Sequence, residues 1–144
     1  MEDFENAGLS IIDTSGTDTI MKFTTTDVFE GTRSGIVNLD ATKILYEGRS
    51  SASYTLPKGS PVFLELNYKT NNFFVIGVYA SNSSQPIPVL YIKPVDKWNK
   101  IYIELTPAIR SAANSNPFRI FIGMKKDDIV SSPQLLIDNI KLLH

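Results

Sequence analysis

Residues 62–69 read Val-Phe-Leu-Glu-Leu-Asn-Tyr-Lys, a run in which Val62, Leu64, Leu66 and Tyr68 fall on one face of an extended chain. Side chains of a β-strand point alternately to its two faces, so a period of two is typical of a strand with one buried face. The run therefore predicts a strand that packs against a core through Leu64 and Leu66.

The same period of two recurs along the rest of the chain. Later segments with this character cover residues 73–80, 89–95, 98–105, 118–122 and 135–142. Weaker strands are expected near Leu9–Asp13, Thr19–Thr25, Gly35–Asp40, Lys43–Tyr46 and Ser51–Leu56. About ten short strands separated by turn residues favour an all-β fold, a two-sheet antiparallel β-sandwich of the jelly-roll type.

Turn residues divide the strands, and one short helix is expected. Turns are predicted at Ser15-Gly16, Glu47-Gly48, residues 57–61 and Asn71-Asn72. The last of these, within Thr70-Asn71-Asn72, predicts a hairpin between residues 66–69 and 73–75. Pro107 to Ala113 is the helical segment, with Thr106 as its expected N-cap.

Length and composition fit one soluble domain spanning residues 1–144, with 42% apolar and 20% charged residues. The net charge of −1 provides no basic field for nucleic acid or anionic lipid. The absence of cysteine excludes thiol catalysis, disulfides and cysteine-based zinc sites. Apolar runs are too short to span a bilayer, and the sequence displays no secretory signal.

Catalytic residues are scarce, so the domain is expected not to be an enzyme. The only histidine is His144, the last residue, which is a poor position for a preorganised base. One catalytic alternative remains, a jelly-roll glycosidase that uses Glu65 and Glu104. It requires two carboxyl groups about 5–5.5 Å apart for retention, or about 6.5–9.5 Å apart for inversion.

A candidate ligand-binding face follows from the alternation, since every second side chain of a strand points away from the core. Polar side chains with aromatic rings are suited to sugars, because rings stack on a pyranose and polar groups bind its hydroxyls. The alternative is a solvated surface with cross-strand charge pairs. These residues face one ligand only if their strands share a sheet. The candidates are Glu65, Asn67, Lys69, Tyr91, Lys93, Tyr102, Glu104 and Arg119.

Three motifs resemble the carbohydrate-binding-module type of jelly roll, also called the galactose-binding-like sandwich. They are Phe4-Glu5-Asn6, Gly31-Thr32-Arg33-Ser34-Gly35-Ile36-Val37 and Leu136-Ile137-Asp138-Asn139-Ile140-Lys141-Leu142. Trp98, at the start of a late strand, fits the same layout and is expected to be half-buried at the end of the core.

The resemblance implies a non-catalytic module that captures glycan. Similar domains occur in surface lipoproteins of gut-type bacteria, which implies an extracytoplasmic location, at the cell surface or secreted. The alternative is a structural or protein-interaction domain of such a lipoprotein, with a protein partner and no sugar.

The resemblance also implies a structural calcium ion. Its ligands would be the carboxylates of Glu5 and Asp138, with backbone oxygens from the Glu30–Ser34 loop, at Gly31 and Ser34. Calcium accepts six to eight oxygen ligands, and an unpaired Asp138 between apolar residues would be costly. The alternative is that Asp138 caps a bulge or pairs with Arg33.

Overall fold

Ten strands and one short helix form the structure, a computed structural model that describes residues 2–6, 8–112 and 114–144. The strands are β1 (Ile11–Asp13), β2 (Lys22–Thr24), β3 (Ser34–Asn38), β4 (Leu45–Ser50), β5 (Phe63–Thr70), β6 (Phe74–Ala80), β7 (Ile87–Ile92), β8 (Val95–Glu104), β9 (Phe118–Lys125) and β10 (Gln134–Leu143), and the helix is α1 (Thr106–Ser111). The predicted all-β class is confirmed.

The strands form two five-stranded antiparallel sheets. The order in the first sheet is β1-β4-β9-β6-β7, and in the second sheet it is β2-β3-β10-β5-β8. A single bridge between Glu2 and Ile140 attaches the N-terminal segment to the second sheet. This arrangement is the predicted jelly-roll sandwich.

The core lies between the two sheets and is built by the alternating residues. Leu64 and Leu66 of β5 are fully buried, as are Ile120 and Ile122 of β9 in the opposite sheet. Each such side chain contributes about 1.5–3 kcal/mol by leaving water. The inward orientation predicted for Leu64 and Leu66 is confirmed.

Two predictions in the N-terminal half are wrong. Glu47 and Gly48, predicted as a turn, lie inside β4, while the predicted strand at residues 51–56 forms only a single bridge from Tyr54 to Phe118. Gly48 serves packing rather than a turn, because the buried hydroxyl of Tyr46 occupies the space that a Cβ would need. The glycine therefore does not mark a change of direction.

The predicted hairpin between residues 66–69 and 73–75 is also wrong, because β5 and β6 belong to different sheets. Residues 71–73 instead form an arch that crosses from one sheet to the other. The rings of Tyr68 and Phe74, on either side of this arch, meet in the core with centroids 5.4 Å apart. Strands β5 and β6 pack their apolar faces against each other across the core. Two strands of a hairpin would instead lie side by side in one sheet.

The helix begins at Thr106, with Leu105 rather than Thr106 at the N-cap position. The Thr106 hydroxyl accepts a hydrogen bond from the backbone N–H of Val62 at 3.0 Å, so it joins the helix to the residue that precedes β5 instead of capping. Ala113, included in the predicted helix, lies outside the described residues. Within the described part of the chain, no helix is long and apolar enough to cross a membrane.

Candidate ligand-binding groove

The candidate face predicted from the sequence does not exist as one surface. Its residues divide among Glu65, Asn67 and Lys69 on β5, Tyr102 and Glu104 on β8, Tyr91 on β7, Arg119 on β9, and Lys93 between β7 and β8. Strands β5 and β8 belong to the second sheet, whereas β7 and β9 belong to the first. The condition that all these strands share a sheet is therefore not met, since alternation indicates which residues point outward but not which sheet holds them.

On the second sheet, Glu65 is bound by two lysines. Its Oε1 lies 3.1 Å from Nζ of Lys100 and 3.8 Å from Nζ of Lys141. The hydrogen bond from Lys100 is the main cause that lowers the pKa of Glu65. A glycosidase acid needs a raised pKa, so this carboxylate is unsuited to protonate a leaving group. Glu65, which is itself largely buried, instead forms cross-strand charge pairs with these two lysines.

Trp98 and Lys69 both bind Asp27 beside the outer face of the second sheet. The indole N–H of Trp98 donates to Oδ1 of Asp27 at 2.9 Å, and Nζ of Lys69 contacts Oδ2 at 2.6 Å. The ring of Phe29 lies 5.6 Å from that of Trp98. Trp98 is half-buried as predicted, but it lies beneath the loop of residues 27–29 instead of closing the core.

A groove with three adjoining compartments runs along the outer face of the first sheet. The first, here called the aromatic compartment, has a volume of about 390 Å³. Its lining includes Leu45, Glu47, Phe73, Val75, Gln85, Pro86, Pro88, Tyr91, Phe121, Gly123 and Lys125.

Two exposed rings border the aromatic compartment. Tyr91 is 68% exposed and Phe73 48%, whereas Phe121 is buried beneath them. Gly123 forms part of the floor, and a Cβ at this position would lie only 2.7 Å from Cζ of Phe121. The absence of a side chain at Gly123 therefore lets the Phe121 ring lie close to the sheet.

The middle compartment, about 400 Å³, lies between residues 13–16 and Ser84-Gln85, with Glu47, Arg49 and Tyr79 beneath them. It shares Glu47 and Gln85 with the aromatic compartment. Its lining is predominantly polar, so the groove changes from apolar to polar along its length.

The third, or arginine, compartment has a volume of about 250 Å³ and shares Arg49 and Tyr79 with the middle one. Its lining consists of Arg49, Ser53, Tyr79, Ala80, Ser81, Ser83, Pro117 and Arg119. The guanidinium carbon of Arg49 lies 5.9 Å from the centre of the Tyr79 ring, at the outer limit of a cation–π contact. Tyr79 in turn meets Phe121 edge to face at 5.5 Å.

The groove is long relative to a single sugar ring. Arg119 and Lys125 lie at its two ends on the same strand, β9, six residues apart. At about 3.3 Å per strand residue, this separation is about 20 Å. An extended ligand could therefore contact all three compartments at once.

Most of the groove was missed by sequence reasoning. Of the predicted candidates, only Tyr91 and Arg119 line it. Glu47 and Arg49 were hidden by the turn predicted at Glu47-Gly48. The signal that could have found them is the alternation in β4, where Leu45, Glu47 and Arg49 point away from the core and Tyr46 points into it.

The proposed calcium ligands Glu5 and Asp138 both contact the loop of residues 30–34. The Glu5 carboxylate accepts hydrogen bonds from the backbone N–H groups of Thr32 at 2.8 Å and Arg33 at 2.9 Å, and from the Thr32 hydroxyl at 2.5 Å. This carboxylate packs on Gly31, whose φ of +72° is a conformation that glycine adopts readily.

Asp138 is almost fully buried and accepts three hydrogen bonds. They come from the Ser34 hydroxyl at 2.8 Å, the Asn139 N–H at 2.8 Å and the Glu30 N–H at 3.3 Å. Burial is the main cause that raises the pKa of Asp138. Arg33 donates to the backbone oxygens of Glu5 and Asn6, so it does not form the pair with Asp138 considered above.

Hydrogen bonds within the protein engage both predicted calcium ligands. All four carboxylate oxygens of Glu5 and Asp138 already accept hydrogen bonds. In the described part of the chain, no three acidic, histidine or cysteine side chains group as metal ligands would. The calcium ion stays a prediction, and the arrangement is explained by hydrogen bonds alone.

Solved structures similar to this one include carbohydrate-binding modules. The family 30 module of a cellulosomal cellulase from Clostridium thermocellum aligns with a TM-score of 0.67 at 16% identity, covering 99% of this chain and 95% of that one. A mutant family 29 module gives 0.60 and 16%, with 99% and 87% covered. An exo-β-agarase gives 0.70 at 12% identity, with 99% of this chain matching 24% of that one. No family model matches the sequence, and no curated protein does. The fold is thus shared with these modules.

Proposed function

We propose that this domain binds carbohydrate without catalysis, through the groove on the first sheet. The observation that carries the proposal is the pair of exposed rings, Tyr91 and Phe73, at the aromatic compartment. Rings of this kind stack on the apolar face of a sugar, while Glu47, Gln85 and Lys125 offer donors and acceptors to its hydroxyls.

The fold and the shape of the groove support the proposal. The carbohydrate-binding modules to which the chain is similar have the same sandwich. A length of about 20 Å suits an oligosaccharide better than a single small molecule. Because such glycans lie outside the cytoplasm, the proposal includes a location at the cell surface or in secreted material.

Two alternatives are less well supported. A protein-interaction domain would use a flat apolar patch, whereas the exposed rings here border a concave and partly polar groove. A glycosidase with Glu65 as its acid would need a raised pKa there, and the hydrogen bond from Lys100 instead lowers the pKa of Glu65. The non-catalytic function is therefore the one that we propose.

The test is affinity electrophoresis and calorimetry with a panel of soluble polysaccharides. The variant Phe73→Ala/Tyr91→Ala should bind at least about tenfold more weakly, a loss of about 1.4 kcal/mol. Tyr102→Ala is the matched control, since Tyr102 is 57% exposed on the opposite sheet and should leave affinity unchanged. Absence of binding to every polysaccharide, or an equal loss in Tyr102→Ala, would refute the proposal.

A further inference from the structure

The arginine compartment contains two positive charges without a matching carboxylate. Its lining holds the guanidinium groups of Arg49 and Arg119, and no acidic residue is among its members. Within the described residues, no carboxylate oxygen lies within 4.0 Å of a guanidinium nitrogen of either arginine. The ion pairs of the described chain are formed by Lys69, Lys100 and Lys141. Arginine side chains that are held without a counter-charge are suited to bind an anion.

Arg49 also has a buried donor with no partner. Its Nε is shielded from solvent and makes no hydrogen bond to any described residue. A buried N–H without a partner is costly, and such a group in a folded protein commonly marks a strained or functional position. Arg49 lies against the Tyr79 ring, at the boundary between the middle and arginine compartments.

Arg119 is fixed in place by the backbone. Its Nη1 donates to the carbonyl oxygens of Ser50, at 2.7 Å, and Ser51. These bonds orient the guanidinium plane and leave its other nitrogen atoms without a bond to a carboxylate. The two arginines at one end of the groove provide planar, forked donors, which match the geometry of a carboxylate or a sulfate.

Two hydroxyl groups of the compartment, those of Ser81 and Ser83, already make hydrogen bonds within the protein. Ser81 and Ser83 donate to the backbone oxygens of Ser115 and Gln85, both at 3.0 Å, so their hydrogens are used within the protein. The anion would therefore be bound chiefly by the two arginines. The carboxylates that line the groove are Asp13, in the middle compartment, and Glu47, which the middle and aromatic compartments share; both would repel an anion placed beside them.

We propose that the arginine compartment binds the acidic group of a charged glycan, a uronate carboxylate or a sulfate ester. The inference rests on the proposed function, because it names the class of sugar that the groove selects. At about 250 Å³ the compartment suits one substituent or sugar unit, not a whole ligand. The net charge of −1 gives no long-range attraction, so recognition would be local.

The test compares matched ligands on the intact domain and on Arg49→Gln. Calorimetry would use oligogalacturonate as the carboxylate arm, a sulfated galactan as the sulfate arm, and neutral galactan and mannan as uncharged arms. At least one acidic ligand should bind at least tenfold more tightly than the neutral ones, and Arg49→Gln should abolish that preference. The arm that binds more tightly identifies the acidic group.

Controls separate failure of this inference from failure of the proposed function. Arg110→Gln removes an exposed arginine outside the compartment and should keep the preference; the melting temperature of each variant verifies folding. Arg49→Lys keeps the charge but loses the fork, and should show an intermediate preference. Equal binding of neutral and acidic glycans, or a preference that Arg49→Gln leaves intact, would overturn the anion subsite but not glycan binding. If no glycan binds, both proposals fail.

Discussion

The side-chain amide of Asn72 donates a hydrogen bond to the backbone oxygen of Lys125 at 2.8 Å, which joins the arch to the end of β9. The same amide nitrogen donates to the backbone oxygen of Phe73 at 2.8 Å. The amide oxygen of Asn72 accepts from the backbone N–H of Asp127 at 2.9 Å. One fully buried side chain thus ties the arch to the backbone of residues 125–127. Phe73, which borders the groove, follows directly in the arch.

Replacing Asn72 by alanine should therefore destabilise the domain by about 2 kcal/mol, since it leaves three partly buried backbone groups without partners. Urea unfolding measures the loss. Asn71→Ala is the control, because the side-chain hydrogen bonds of Asn71 to Ser132 and Gln134 are exposed and their loss should cost less. Equal stability of the two variants would contradict the role given to Asn72.

The floor of the aromatic compartment should tolerate no side chain at Gly123. In Gly123→Ala the new Cβ would force the Phe121 ring to move, because the two would be 2.7 Å apart. Affinity for a bound glycan should fall about fivefold or more, about 1 kcal/mol, as measured by calorimetry. Gly59→Ala, where nothing lies within 4 Å of the added carbon, should bind as the parent does.

Acid should weaken the contacts of Asp27. The hydrogen bond from Lys69 is the main cause that lowers the pKa of Asp27 from its ordinary value of 3.8. A lowered pKa favours the ionised form in the native state, so the stabilisation is present above about pH 4 and is lost as the pH falls through the native pKa.

Asp27→Asn should accordingly lower the melting temperature at pH 7 and have much less effect near pH 2. Fluorescence of Trp98, the sole tryptophan, follows the transition beside the altered residue. Asp128→Asn, at an exposed position, serves as the comparison. A deficit of the same size at both pH values would show that Asp27 acts through packing and not through its charge.

Calcium should contribute little to stability if the hydrogen bonds to Glu5 and Asp138 are the native arrangement. The melting temperature should then be the same in a chelator and in millimolar calcium, because an ion bound only to the folded state must raise it. A rise of several degrees with calcium, lost in Asp138→Asn, would instead support the ion and require the loop of residues 30–34 to rearrange.

Alternation of side chains was sufficient to predict the sandwich, because a period of two reports directly which face of a strand is buried. It could not assign strands to sheets. The short connection at residues 71–73 has the composition of a hairpin turn, yet the apolar faces of β5 and β6 pack against each other from opposite sheets. Because the strands could not be assigned to sheets, the predicted binding residues were drawn from strands of both sheets.

Glycine was the second source of error. At Gly48 it relieves crowding by the Tyr46 hydroxyl in the middle of a strand, whereas sequence patterns associate glycine with turns. The misplaced turn concealed Arg49, and with it the arginine compartment. The side chain of Ile11, which is distant in sequence, also lies 2.9 Å from the position of a Cβ at residue 48, and a local pattern does not reveal such a contact.

The bridge between Glu2 and Ile140 determines how the domain can be presented to a ligand. Residues near both ends of the described chain belong to the second sheet, and the groove opens on the outside of the first. Immobilising the domain on a bead through either end would thus leave the groove directed toward solution. Two copies joined in tandem through these ends could engage one polymer together and gain avidity.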